Sequence, residues 1–349
     1  MKKYLGVWAI AALFGLTACP GGPTESIVQD NQGLSNDSLL EQADTARVPA
    51  SLDPRNADAL DLNAVFDLVE KHLEDKNYAY AREYLRRAAM RDSLNSRYLN
   101  LQARLYLLAN QSKKAHDLWR KCMEKYPSDL DCRISMAELQ LTLGLNRDAL
   151  QTANAIIALD RNRAEGFFLK GMAIRAVNGD TTASIPYFQQ AVDLRNNYVE
   201  ALDMLGVIYA QRKDTLALAY YKNVLELQPD RSDVYYKIGV LHMQRKEWNK
   251  AMGAYERAIQ LNPRDADSYY NLGYILTQLQ VYDKARNNFS KAINVSQRNF
   301  KAYYGRGYSH EMLGDLTNAS RDYREALSTR PNHAPSAEAL ARVKKKMEA

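Results

Sequence analysis

From Tyr235 to Pro263 apolar positions recur every three to four residues, with polar residues between them. Tyr235, Ile238, Gly239 and His242 fall at helical spacing, and so do Ala251, Tyr255 and Ala258. The pattern predicts two amphipathic helices joined by a short turn. Gly239, Ala251 and Ala258 are small enough to let the helices approach closely, while Tyr235, Ile238 and Tyr255 fill the seam. Pro263 ends the second helix, because proline has no N–H and restricts the residue before it.

The pattern returns 34 residues later with Tyr269, Leu272, Gly273, Ala285, Phe289 and Ala292, and again with Tyr303, Gly307, Ala319, Tyr323, Ala326 and Pro331. Three copies in register resemble the tetratricopeptide repeat (TPR), a helix–turn–helix unit of 34 residues. The resemblance extends over residues 62–333 as eight copies: 62–95, 96–129, 130–163, 164–198, 199–231, 232–265, 266–299 and 300–333. The first copy is degenerate, with Val69 at the glycine position, and its first helix is expected to start early, near Asp58. The fourth has one extra residue around Asn178-Gly179-Asp180, and its Pro186 is expected in or close to the first turn of a helix. The fifth is one residue short in its inner turn. Residues 334–349 read as a capping helix from Pro335 to about Met347, with Leu340, Val343 and Met347 on one face. Arg342, Lys344, Lys345 and Lys346 lie largely on the others and read as a solvated face. The resemblance implies an all-α, right-handed TPR solenoid with a C-terminal capping helix.

The N-terminus changes the picture. Lys2 and Lys3 precede an apolar run from Tyr4 to Leu16, too short for a confident membrane span, and Leu16-Thr17-Ala18-Cys19 follows. This resembles the signal and lipobox of a Gram-negative lipoprotein. The resemblance implies a signal peptide over 1–18, cleavage before Cys19, and acylation of Cys19 as a membrane anchor. Pro20 in place of an aspartate after the cysteine favours the outer membrane, and the lack of an acidic cluster directly after it favours the periplasmic face over surface display. Residues 19–61 read as a flexible acidic tether: from residue 20 on, eight carboxylates stand against Arg47 and Arg55, a net charge of −6. The whole chain is +6 and the signal +2, so the repeat body carries +10. Such a basic body suits an acidic partner, contact with its own tether, or simple solubility. Export argues against nucleic acid.

No catalytic constellation stands out. The five histidines form no metal pair, and neither a Gly-x-Ser-x-Gly nor a phosphate-binding loop occurs. His72, His242 and His310 share the slot held by Tyr106 and Tyr209 in other copies, and so read as packing residues. No cofactor or metal is expected. Cys122 and Cys132 would lie in an oxidising compartment on adjacent helices. Cys122 also takes the slot of Ala258, Ala292 and Ala326, and is read first as a small buried hydrophobe, with a disulfide as the alternative.

In TPR proteins the first helix of each repeat lines the binding face. In the last three copies the residues not used in the seams are Tyr236, Lys237, Tyr270, Asn271, Tyr274, Lys301, Tyr304 and Tyr308, beside Asp233, Val240, Met243, Asp267 and Met312. Five tyrosines in one stripe offer large contact area with polar tips, suited to an extended or helical peptide, or else to packing between repeats. Only Asn271 and Lys301 match the lysine–asparagine clamp that some TPR domains use for a terminal carboxylate. Earlier copies present Asn100, Arg104, Asp131, Glu138, Phe168, Met172 and Arg175. The expected function is an outer-membrane-anchored, protein-binding adaptor in envelope assembly, such as secretion, pilus, motility or peptidoglycan machinery. Its partners are envelope proteins or peptide segments and, through Cys19, the membrane. The alternatives are a structural spacer or assembly subunit and, least favoured, an enzyme-associated protein. Self-association through the end helices stays open.

Overall fold

The computed structural model describes residues 60–179 and 181–348. The signal, Cys19 and the tether as far as residue 59 lie outside the described residues. Within them the chain is an all-α solenoid of helix pairs closed by a C-terminal helix. In unit 1 (described from residue 60 to residue 204) the pairs are α1 (Leu62–Glu74) with α2 (Tyr78–Asp92), α3 (Ser96–Leu108) with α4 (Ser112–Lys125), α5 (Leu130–Thr142) with α6 (Asn146–Leu159), and α7 (Ala164–Asn178) with α8 (Thr181–Leu194). Helix α9 (Val199–Gln211) contains the boundary. Unit 2 (residues 205–349) continues with α10 (Leu216–Leu227), α11 (Ser232–Gln244), α12 (Trp248–Leu261), α13 (Ala266–Gln278), α14 (Tyr282–Val295), α15 (Phe300–Met312), α16 (Leu316–Thr329) and α17 (Ala334–Glu348).

Each first helix ends the same way. Lys76, Asn110, Gly144, Gly179, Lys213, Lys246, Gln280 and Gly314 have φ between 57° and 81°. A left-handed residue just past a helix end turns the chain back on itself. The neighbours among these residues are 34 apart except at the fourth and fifth copies, where α7 has 15 residues and α10 has 12. Those are the copies with the insertion and the deletion. Asp61, Asn95, Asp129, Asp265, Asn299 and Asp315 cap helix starts through their side chains. Asp61 fixes the start of α1 at Leu62; Asp58, where the sequence pattern set an earlier start, lies outside the described residues.

Within a pair, small meets large. The aromatic ring of the second helix lies against the glycine of the first; a Cβ at Gly239 would sit 2.7 Å from the Tyr255 ring. Where the glycine is replaced the ring changes too: Val69 and Leu85 share one buried core, and Ala103 and Trp119 share the next. The degenerate first copy is thus a compensated version of the same packing.

Three expectations are corrected. Cys122 and Cys132 are joined in a disulfide, with Cα atoms 6.3 Å apart, tying α4 to α5 across the inter-repeat turn. A cysteine in the alanine slot still packs, and a second buried cysteine facing it adds the bond. Pro186 is the sixth residue of α8, beyond the first turn. The C-terminal basic run is not all solvated: Arg342 and Lys346 both reach the buried carboxylate of Glu311. Ala339 and Val343 bury α17 against Ala319 and Tyr323, while Met347 stays about half exposed. No helix among the described residues is long and apolar enough to cross a membrane.

Candidate protein-binding face

The tyrosine stripe of unit 2 lies on α11, α13 and α15, and its members are not equivalent. Tyr236 leans on Tyr255 with ring centroids 5.7 Å apart, Tyr270 on Phe289 at 5.8 Å, and Tyr304 on Tyr323 at 5.8 Å. These three are half-buried, so each presents only part of its ring. They repeat at one register position, so one edge of each ring belongs to the repeat core. Tyr304 also meets the His333 ring edge-on. Tyr308 packs edge-on against Tyr282, and burial there pushes its hydroxyl pKa up. Tyr274 is the open member, 40% exposed.

The polar members divide similarly. Lys237 binds Asp233 at 3.2 Å and lies over the Tyr221 ring. Burial disfavours the Asp233 carboxylate, but hydrogen bonds from Arg231 and Lys237 outweigh it and hold the group at about 2. Asn271 is buried, at 8% exposure, so it faces the packing more than solvent. Lys301 is exposed; burial first and then Asp265 push the Asp267 carboxyl pKa up, and Lys301 opposes them without cancelling the rise. Tyr274, Lys301 and Met312, with the carboxylates Asp233 and Asp267, are therefore the exposed groups, on a floor of half-buried tyrosines.

In unit 1 the equivalent face is more polar and more tied up. Asn100 accepts a hydrogen bond from Trp119 Nε1 at 2.7 Å, and Phe168 and Met172 are buried. Arg163 bridges Asp131 at 3.0 Å and Glu165 at 3.1 Å, and Arg195 joins Glu165 at 3.2 Å while stacking 3.7 Å over Tyr198. Burial lowers the Arg175 pKa. Burial raises Glu138 to about 7, opposed by Arg104 and reinforced by Glu165 and Glu200. The Arg163–Glu165 network lies outside the residues that the repeat pattern singles out. Its signal was the recurrence of an arginine just before a first helix with an acid two residues on, as in Arg163-x-Glu165 and Arg231-x-Asp233.

The histidines serve packing and local pairing. His72 stacks on Tyr80 and Tyr84, His242 Nδ1 lies 2.7 Å from Glu247, and His310 Nδ1 lies 3.1 Å from Asp315. Cys122, Cys132 and Asp129 bring ligand atoms within 4.8 Å of one another, but the two sulfurs are bonded together and offer no thiolate to a metal.

Comparison with known proteins identifies the repeats. Residues 241–280 and 273–314 match a TPR repeat model, and residues 300–333 match a tetratricopeptide repeat model. No curated protein matches the chain. Among solved structures, MamA is 26% identical over 49% of this chain and 93% of its own, with a TM-score of 0.45. The Arabidopsis OM64 TPR domain is 32% identical over 33% of this chain and 94% of its own, with a TM-score of 0.32. The APC/C hetero-tetramer Cut9–Hcn1 is 16% identical over 90% of this chain and 60% of that chain, with a TM-score of 0.53, a likeness of fold.

Proposed function

We propose that this TPR-repeat chain is an outer-membrane-anchored adaptor that recruits an envelope protein through the first-helix face of unit 2. The observation that carries the reading is the face itself. An exposed tyrosine and an exposed lysine stand over half-buried aromatic rings, on repeats whose fold serves protein–protein contact. Tyrosine offers large apolar contact with a polar tip at low entropic cost, which suits a peptide laid across it. The Cys122–Cys132 disulfide supports an oxidising compartment, in keeping with the signal and lipobox resemblance. Cys19 would hold the chain to the bilayer. Confinement there raises the effective concentration of a neighbouring partner, so modest affinity suffices.

The anchor is tested by labelling cells with a palmitate analogue and fractionating their envelopes, comparing the wild-type chain with Cys19→Ser. The reading expects label and membrane recovery in the wild type, both lost in the variant, together with fewer envelope proteins crosslinked to it. Equal labelling, or equal crosslinked partners without the lipid, counts against it.

A further inference from the structure

We propose that the acidic segment 20–59 docks on the basic sides of α2 and α4, folding the tether back on the first two repeats. This goes beyond the adaptor reading and does not depend on it. The body's positive charge is unevenly placed. Helices α2 and α4 hold nine cations against four carboxylates, a net +5, which is half of the body's +10. The other second helices are much closer to neutral: α6, α10 and α16 are balanced, α8 is −1, α12 is +1 and α14 is +2. Segment 20–59 has seven carboxylates against Arg47 and Arg55, a net −5. The two charges are equal and opposite.

The place where the segment joins the body supports the match. Arg91, at the end of α2, donates from Nη1 to the carbonyl of Leu60 at 2.7 Å, so the chain enters the body against this helix. The end of α4 lies close by: Lys125 Nζ and Tyr126 Oη both donate to the carbonyl of Leu94, at 3.5 and 2.8 Å. Arg82, Lys113 and Lys121 are exposed and make no hydrogen bond or ion pair with a described residue. Met90, also on α2, is 71% exposed. Reach is ample. A 14-residue helix such as α4 is about 21 Å long, and ten extended residues span up to about 33 Å, while segment 20–59 supplies 40. Covalent attachment keeps the local concentration high, and salt screens the attraction.

The test uses the full chain in a neutral detergent with a zero-length carbodiimide crosslinker, mapped by mass spectrometry. Links from Glu25, Asp30, Asp37, Glu41 and Asp44 to Lys113, Lys121 and Lys125 are expected to exceed links to Lys250, Lys284 and Lys291 by roughly tenfold, an enrichment set by tethering. They should fall severalfold in about 0.5 M salt. Links spread evenly over the body, or insensitive to salt, overturn the proposal. A second measurement separates an anionic membrane as the occupant. The full chain with those five carboxylates changed to amides should bind phosphatidylglycerol vesicles severalfold tighter than wild type, because the face is freed. Changing Arg82, Lys113 and Lys121 to Glu should remove that gain. Equal vesicle binding by wild type and the amide variant means the face stands open, and the proposal fails.

Discussion

Arg342 on the last helix reaches back to Glu311 and grips its buried carboxylate with two hydrogen bonds, Nε to Oε1 at 2.9 Å and Nη2 to Oε2 at 2.8 Å. Lys346 Nζ and the hydroxyl of Tyr323 donate to the same group. These bonds, from Arg342 first and then Lys346 and Tyr323, overcome burial and hold the Glu311 pKa at about 2. The contact fastens the end of the solenoid. Glu311→Gln should cost unit 2 about 1–2 kcal/mol, less than a fully buried pair because Arg342 and Lys346 are each nearly half exposed. Because the folded pKa is depressed, the stabilisation is complete above the ordinary carboxylate pKa and fades as pH falls from there through about 2. Acid unfolding of wild type and variant, followed by circular dichroism, should converge at the acid end. A constant gap between them would contradict this.

The seam glycines predict opposite outcomes for the same substitution. Gly239→Ala places a Cβ 2.7 Å from the Tyr255 ring and should destabilise by about 1–3 kcal/mol through overpacking. Gly253→Ala, inside α12 with nothing within 4 Å, should stabilise by about 0.5–1 kcal/mol. Urea denaturation of the two variants checks the sign of each.

The left-handed residues closing the first helices offer another gain. Lys246 and Gln280 have φ of 57° and 60° where a side chain is strained. Lys246→Gly and Gln280→Gly should each stabilise by about 0.5–1 kcal/mol. A fall in midpoint for both would mean their side chains hold the turn.

His72 predicts an acid-sensitive first repeat. Both ring nitrogens are buried without a partner, between Tyr80 and Tyr84. Burial lowers its pKa, opposed by Asp75 and aided by Lys71, while Arg97 on α3, which packs on α1, is committed to Asp67 and Glu70. The unfolded chain therefore binds the proton more readily. Stability is full above the ordinary histidine pKa of about 6.5 and declines as pH falls below it. His72→Tyr, the residue found at this slot in other copies, should remove that slope. Hydrogen exchange in α1 and α2 at pH 7.5 and 5 reads it directly, and an unchanged slope would place the acid sensitivity elsewhere.

The disulfide closes a short loop across the turn between two repeats. Its reduction should lower the stability of unit 1 by about 2–3 kcal/mol, the scale of such loops. Cys122→Ala with Cys132→Ala should reproduce the loss under oxidising conditions, since alanine already fits this slot in other copies. Thermal melts with and without reductant would show it.

The repeats were legible because helix pairing demands small residues opposite rings at fixed spacing, and Gly239 with Tyr255 recurs as Gly273 with Phe289 and Gly307 with Tyr323. The left-handed turns were not legible at Lys76, Lys213, Lys246 and Gln280, because no glycine marks them. The disulfide stood second to simple packing in the sequence because Cys122 satisfies a small-residue slot by packing alone. The division of the tyrosine stripe was hidden for a related reason. The register position of Tyr236, Tyr270 and Tyr304 touches both the second-helix ring and the open face, and spacing cannot apportion a ring between them. The hold of Arg342 on Glu311 joins residues 31 apart, and only the docked α17 brings them together.

The central claim is that the first-helix face of unit 2 recruits a protein. The most direct measurement is quantitative crosslinking from native envelopes, comparing wild type with Tyr274→Ala combined with Lys301→Glu. Both residues are exposed, so the variant should keep its fold, and circular dichroism verifies that. The account predicts that a small, defined set of envelope proteins falls roughly tenfold or more in the variant, as expected when central contacts of an interface are lost. Matching protein lists from the two chains would contradict it and leave the tyrosine stripe as packing between repeats.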